Sequence, residues 1–389
     1  MLLLLVLVCL SFGMDIRQAM DLLEEHPTLK SLEEERKVIR ALPLTYRSYL
    51  NPTVSFQLGN FGTSTESYTK SPVYNFSYSQ PIAPPSIRKG YVKLSELEEN
   101  ILTWRIESQR VSLRGELYRA FMHALYLRER IRVLEESLKL SSEVYSFVKR
   151  TYDLGETTKL DLFRAEREMK MAQWDLDLAK KEYAAALVEL SYFTGRPVDS
   201  VDGDFFSLPE IKLRNLEDVP VLKVYKSSIE SEGQRLVIER ILSKPKWSLE
   251  ALTEKVSDRS YGVRVGLSVE LPLFYSRELE IIQRLSQREI LTRQSETEEL
   301  RLKALTGSQL EICSELKRQI DQLENNLVPE AQKELALALK SYRLKVITLL
   351  ELSEVKRRYY ELLSRRLELY LRYHQAFGEL LKAGVVLWR

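Results

Sequence analysis

Asn75-Phe76-Ser77-Tyr78-Ser79-Gln80-Pro81-Ile82 answers, about 190 residues further on, to Gly266-Leu267-Ser268-Val269-Glu270-Leu271-Pro272-Leu273. In both stretches apolar or aromatic side chains alternate with polar ones until a proline closes the run, the pattern of a strand with one apolar and one polar face. Upstream, His26-Pro27-Thr28-Leu29-Lys30 answers to Val219-Pro220-Val221-Leu222-Lys223, and Pro52 to Pro245. Downstream, Tyr152, Leu154, Thr158, Leu160, Leu162, Tyr183, Glu189 and Leu190 recur as Tyr342, Leu344, Thr348, Leu350, Leu352, Tyr373, Glu379 and Leu380. Matches in one order at a nearly constant offset are hard to produce by chance, and the period is far too long for a solenoid. The chain reads as two copies of one unit.

Each copy repeats one order of elements. A modest helix, residues 15 to 42 and 217 to 242, precedes a proline expected to stop it. Two strands follow, 54–58 with 73–79 and 247–251 with 261–271, joined by loops rich in Gly, Ser, Thr, Asn and Asp. Then comes a helix of unusual length, 86–152 and 276–342, and after a short turn a shorter one, 159–193 and 349–383. A helix of about 65 residues spans roughly 100 Å at 1.5 Å per residue, so it must bury a narrow stripe against other helices, as coiled coils do. Ala165, Met169, Ala172, Leu176, Ala179, Tyr183, Ala186, Leu190 and Phe193 form such a stripe, and Val355, Tyr359, Leu362, Arg366, Leu369, Tyr373, Ala376, Leu380 and Ala383 repeat it with Arg366 as the one break. The expected divisions are a first repeat over 14–195 (hairpin 52–83, coiled-coil pair 86–193), a linker at 196–216, a second repeat over 217–384 (hairpin 246–274, coiled-coil pair 276–383) and a tail at 385–389.

The 389 residues carry 58 Lys and Arg against 56 Asp and Glu, a net charge of +2, so there is no basic footprint and nucleic acid is not an expected partner. Glycine (14) and proline (13) are both sparse, which suits long uninterrupted helices. If the N-terminus is cleaved, Cys313 is the one thiol left, excluding an internal disulfide and a cysteine-rich zinc site. His26, His123 and His374 lie scattered among helix formers and read as packing or surface histidines, so no metal or cofactor is expected. Residues 2–10 are an apolar run closed by Ser11-Phe12-Gly13, which reads as an export signal, residues 1–13, cleaved after Gly13. Acylation of Cys9 is the weaker alternative, because Val8 stands where a small residue is wanted. No run of about 18 apolar residues occurs, so no ordinary transmembrane helix is expected, which leaves a membrane β-structure open.

Two isolated hairpins would leave open edges and one bare apolar face. That face would carry Val54, Phe56, Leu58, Tyr74, Phe76, Tyr78, Trp247, Leu249, Tyr261, Val263, Val265, Leu267, Val269 and Leu271. The opposing set includes Ser55, Gln57, Asn75, Ser77, Ser248, Glu250, Arg264, Ser268 and Glu270. Apolar outside and polar inside, over about ten residues a strand, is the pattern of a membrane barrel around a wet lumen. Four strands cannot close a barrel, whereas an oligomer can.

Together the Pro27-centred opening helix, the strand end from Gly266 to Phe274, the segment Tyr152-Asp153-Leu154-Gly155 leading into Leu160-Asp161-Leu162, and the duplicated order of elements resemble the TolC-like outer-membrane efflux proteins, over essentially all of the chain after residue 13. The resemblance implies a mainly α fold with membrane β: long antiparallel coiled-coil helices forming an α-barrel, and four strands per chain contributing to a trimeric twelve-stranded β-barrel. It further implies a homotrimer in the outer membrane, most of it in the periplasm, serving as the duct of a tripartite efflux or type I secretion system. A periplasmic adaptor, an inner-membrane pump and outer-membrane lipid would be its partners. No polar constellation for catalysis is present, so an enzyme is not expected. A structural coiled-coil envelope protein without a channel is the competing reading.

Carried over from the family, Tyr342 falls on a gating tyrosine, Glu351 and Glu354 on two acidic positions that ring the closed periplasmic entrance, and Asp161 on the corresponding acid of the first repeat. Three copies of Glu351 and Glu354 on a threefold axis would attract cations. Read locally, the same two residues are equally well first-turn acids favoured by the helix dipole. Ile347 stands where the family has a latching arginine, so the entrance would be held by another pair or by packing of Leu344, Val346 and Leu350. The turns Leu154-Gly155-Glu156-Thr157 and Leu344-Lys345-Val346-Ile347 look like the family's adaptor-docking turns; Gly155 alone is also explained as a helix-reversal glycine. Glu250, Arg264 and Glu270 are expected to face the lumen.

Overall fold

The computed structural model describes residues 13–59, 73–257 and 260–387. The export-signal reading and Cys9 therefore lie outside the described residues except for Gly13, as do most of the first hairpin loop and part of the second. In chain order the elements are α1 (Ile16–Leu23), α2 (Pro27–Arg47), β1 (Thr53–Gly59), β2 (Val73–Ile82), α3 (Pro85–Asp153), α4 (Lys159–Thr194), α5 (Pro220–Leu242), β3 (Lys246–Ser257), β4 (Ser260–Glu270), α6 (Glu278–Gln322), α7 (Val328–Arg343) and α8 (Leu349–Lys382). They divide into two compact units that each draw on both halves of the sequence: Ser31–Ile106 with Pro220–Glu298, and Met1–Lys30 with Glu107–Val219 and Glu299–Arg389.

The first of these units holds one antiparallel sheet in the order β1-β2-β3-β4. The two hairpins join because β2 pairs with β3, Tyr78 opposite Ala251 and Ile82 opposite Trp247. This register aligns every alternation: Phe56 faces Phe76, Leu249 faces Leu267 and Ala251 faces Val265 on one side, while Ser55 faces Ser77 and Ser248 faces Ser268 on the other. The apolar side is bare, with Phe56, Val263 and Val265 each more than 60% exposed. On the polar side the Ser55 and Ser77 hydroxyls bond at 2.6 Å. The helices of this unit are tied by ion pairs, Arg40 to Glu99 at 2.6 Å and Arg235 to Glu98 at 2.7 Å, and by Tyr46 stacked on Tyr91. Arg277, at the turn from β4 into α6, adopts φ 65, and its Nε donates to the buried Glu239 at 2.8 Å.

The helical unit is built as the stripes require. Ala165, Leu176, Ala179, Ala186, Leu190 and Phe193 of α4 are buried. Arg366, the break in the α8 stripe, is accommodated by an ion pair to Glu324 and by Phe206, whose ring centre lies 4.3 Å from the guanidinium. A second stripe on α8, Leu352, Lys356, Leu363, Leu367, Tyr370, His374, Phe377 and Leu381, is buried as well. His374 is fully buried, its Nε2 2.9 Å from the Phe205 carbonyl and its Nδ1 2.7 Å from the Tyr118 hydroxyl. Since a carbonyl only accepts, Nε2 carries the proton and Nδ1 accepts from Tyr118, a neutral imidazole with both nitrogens satisfied. Burial holds its pKa below the ordinary value. A depressed imidazole pKa contributes stability that is complete above the unfolded pKa and lost as pH falls toward the folded one. The unfolding midpoint of the helical unit should therefore fall between about pH 7 and about pH 5, and His374→Gln should remove that slope. An identical slope in both proteins would contradict this role.

Three expectations on helix ends are corrected. The helix expected over 15–42 is two, because the residue before a proline avoids the α conformation: α1 ends before His26-Pro27, and Pro27 opens α2 just as Pro220 opens α5. Pro43 does not stop α2, which runs to Arg47 in a largely exposed stretch where water can take up the carbonyl that the missing N–H frees. The second long helix starts at Glu278 rather than 276 and is interrupted by a π-turn at Leu323–Leu327, just ahead of Pro329.

Candidate functional site

The two helix reversals of the helical unit share one backbone design. In the first, the Gly155 N–H donates to the Tyr152 carbonyl and the Glu156 N–H to that of Thr151, both at 2.8 Å; in the second, Lys345 donates to Tyr342 and Val346 to Ser341, both at 2.9 Å. Paired bonds of this kind close a helix on a left-handed residue. Gly155 holds that place at φ 75 and Lys345 at φ 59. Lysine in this conformation costs about 1 kcal/mol that glycine does not, and its exposed ion pair to Glu156 (2.9 Å) returns less than that. Lys345→Gly should thus raise the unfolding midpoint slightly, by about 0.5 kcal/mol. A lowered midpoint would mean that the Lys345–Glu156 contact is the stronger effect.

After each turn a threonine caps the next helix. The Asp161 N–H donates to Thr158 Oγ1 at 3.1 Å, and the Glu351 N–H to Thr348 Oγ1 at 3.2 Å. Asp161 and Glu351 occupy the same third helical position, and each carboxylate accepts from its cap hydroxyl, at 2.7 Å and 2.9 Å. Glu351 also accepts from the Thr348 N–H at 2.7 Å, completing a reciprocal capping box. These bonds hold the Glu351 carboxyl below the usual carboxylate range. Glu354, one turn on, is likewise held low by Arg357 and Arg358, which bond it at 2.8 Å and 2.9 Å.

Tyr342 packs against a buried cluster of Val144, Val148, Ala165, Ala338, Leu349 and Leu352, with its ring edge-on to Phe147 at 5.6 Å. Burial raises its hydroxyl pKa, with Asp161 a second cause. Ile347 packs on the same cluster. Leu344, Val346 and Leu350 are 67%, 73% and 62% exposed in the single chain, because the reversal turns them away from the cluster. Leu154 is 74% exposed, and Gly155 is exposed too. Both turns thus present apolar side chains that no described residue covers.

One residue absent from the sequence reading lies between the helix pairs. Lys356 of α8 is buried and donates to Glu168 of α4 at 2.6 Å and to Ser141 of α3 at 3.3 Å. With Ile347 unable to form a latch, Lys345 and Lys356 are the described cations that bond carboxylates across from α7–α8 to α3–α4 near the turns. The signal was available, since Lys356 lies four residues after Leu352 on a buried face. In the other unit, the register puts Glu250, Arg264 and Glu270 on the polar side of the sheet, where Glu270 pairs with Lys246 at 3.2 Å. Among the described residues no helix is long and apolar enough to cross a membrane.

Residues 19–196 match the family described as outer membrane efflux protein. No curated protein matches the chain significantly. The fold matches solved outer membrane channels. The Neisseria gonorrhoeae MtrE channel in its open state superposes with a TM-score of 0.77 at 16% identity, covering 95% of this chain and 88% of that one. Campylobacter jejuni CmeC gives 0.75 at 15%, covering 95% and 85%. Vibrio cholerae VceC gives 0.73 at 15%, covering 93% and 96%. Proteins of this kind are channels rather than enzymes, and the mainly helical chain with its four strands has their fold.

Proposed function

We propose that the chain is an outer membrane efflux protein, a reading supported by the match of residues 19–196 to that family, and that three copies form a duct through the outer membrane. In this duct the sheets close into one barrel and the helices continue it into the periplasm. The observation that carries the proposal is the sheet, one side mostly apolar and exposed, the other mostly polar, with β1 and β4 as open edges. An open edge is not tolerated in lipid, and pairing β4 of one copy with β1 of the next removes every edge once the ring closes. Glu250, Arg264 and Glu270 would then line a wet lumen. A coiled-coil scaffold without a channel would leave that apolar side without a use.

In the helical unit, the exposed Leu154, Leu344 and Val346 are the surface on which a periplasmic adaptor, itself coupled to an inner-membrane pump, would dock. Tyr342, Asp161, Glu351 and Glu354 would form the gate. Because Glu354 is compensated by two arginines, the free negative charge of the ring resides in Glu351. In planar bilayers, Glu351→Gln, which keeps an acceptor for the cap, should reduce cation preference, and Glu354→Gln should shift selectivity toward anions by releasing Arg358, while Arg357 keeps its pair with Glu361. With both carboxyls held low, the wild-type preference should persist as pH falls below the ordinary carboxylate range. Unchanged selectivity in both variants would remove these residues from the gate.

A further inference from the structure

All four strands adjoin helices at the same end of the sheet: β1 begins after α2, β2 ends before α3, β3 begins after α5 and β4 ends before α6. At that end the apolar side continues beyond the strands. Tyr49 and Leu50 are both exposed, and the Leu50 carbonyl accepts from Gln80 Nε2 at 2.8 Å. Gln80 pairs with Leu249, which fixes it on the apolar side, and Ile82 and Trp247 pair next to it. Next to Tyr49, through Arg88, lies a shallow cleft of about 480 Å³ lined by Arg47, Arg88, Lys89, Val92, Lys93 and Glu96.

Four cations and one carboxylate line this cleft, and none of the four cations forms an ion pair among the described residues. Their neighbours do: Arg36 and Arg40 share Glu99, and Arg235 takes Glu98. Arg88 lies with its guanidinium 4.7 Å from the centre of the Tyr49 ring, and its Nε is buried without a hydrogen-bond partner. Four cations without an ion pair around one cleft attract an anion. We propose that this cleft binds the phosphate of an anionic phospholipid whose acyl chains lie along Leu50, Ile82 and Trp247. The phosphodiester pairs with Lys89 and Lys93, both exposed, while the net positive lining disfavours headgroups that carry a quaternary amine. The site thereby fixes the depth of the sheet in the inner leaflet.

The inference rests on the outer-membrane reading above, and the test separates the two. The purified full-length protein is placed in bilayer discs of mixed phosphatidylglycerol and phosphatidylcholine, and the lipids it retains on release are counted by native mass spectrometry. The wild type should retain phosphatidylglycerol in preference. Lys89→Glu with Lys93→Glu, both on exposed positions where folding is not at stake, should lower that preference by about fivefold or more per cation. Inorganic phosphate added alone should not displace the lipid, because the apolar contacts carry part of its binding. Equal retention of the two lipids, or a preference unchanged in the variant, overturns the lipid site while the protein's presence in the disc upholds the membrane reading. Displacement by phosphate alone overturns the lipid as the source of the anion. A protein that enters no disc overturns both.

Discussion

Gly115→Ala is expected to destabilise the helical unit by about 3 kcal/mol. Gly115 lies on α3 where α8 crosses it, and a methyl group there would overlap the main chain of Lys382. Backbone in the last turn of a helix cannot swing aside as a side-chain tip can, so the two helices must part, with loss of the contacts around Leu117, Tyr118 and Phe377. Gly378, on the α8 side, is the second close approach between α3 and α8. Its methyl would overlap Arg119 Cγ, beside the main chain rather than at the tip, so the whole side chain must turn and lose its bond to Glu379, and the cost should be similar, about 2–3 kcal/mol. Denaturant midpoints of the purified proteins measure both. A Gly115→Ala protein that unfolds with the wild type would mean that the crossing is looser than described.

An arginine on the apolar side of the sheet should be as damaging, for a different reason. Leu267 faces Leu249 on the bare side, and Ser268 faces Ser248 on the polar side one residue along. At mid-membrane depth, arginine on a lipid-facing position costs about 2–4 kcal/mol, whereas on a lumen-facing position it is solvated. Leu267→Arg should therefore deplete the protein from the outer-membrane fraction, and Ser268→Arg should leave its level near wild type. Equal depletion, or none in either, would mean that the two sides do not face different media.

The strands and long helices were legible because each rests on a local period. Alternation in Val54 to Leu58 and Tyr261 to Leu271 needs no partner to be seen, and the stripe from Ala165 to Phe193 is visible within one helix. The pairing of β2 with β3 was not visible, since it joins residues from opposite halves and only tertiary structure sets it. Prolines misled in both directions. Pro27 starts a helix, Pro43 is passed over, and Pro329 follows a π-turn, because the consequence of a missing N–H depends on whether the freed carbonyl finds water or a neighbour.

The candidate site was legible as positions more than as roles. Asp161 and Glu351 are equivalent in structure, as the recurrence implied, yet both complete helix caps, and capping and gating ask for the same residue at the same place. Lys356 was missed because a lone lysine reads as solvated surface. Its burial follows from a second stripe on α8 that the first stripe, already complete, gave no reason to seek.

The central proposal is that β1 of one copy meets β4 of another. Within one chain these are the outer strands of a four-stranded sheet, about 14 Å apart, too far for a disulfide. Between copies in a closed barrel they are neighbours. A cysteine in place of Ser55, scanned against cysteines in place of Arg264, Gly266 and Ser268 on the same side of β4, can oxidise only across that seam. The duct reading predicts that one of these pairs yields a covalent product of three chains in isolated outer membranes. Monomer at every register, or a product that stops at two chains, would contradict it.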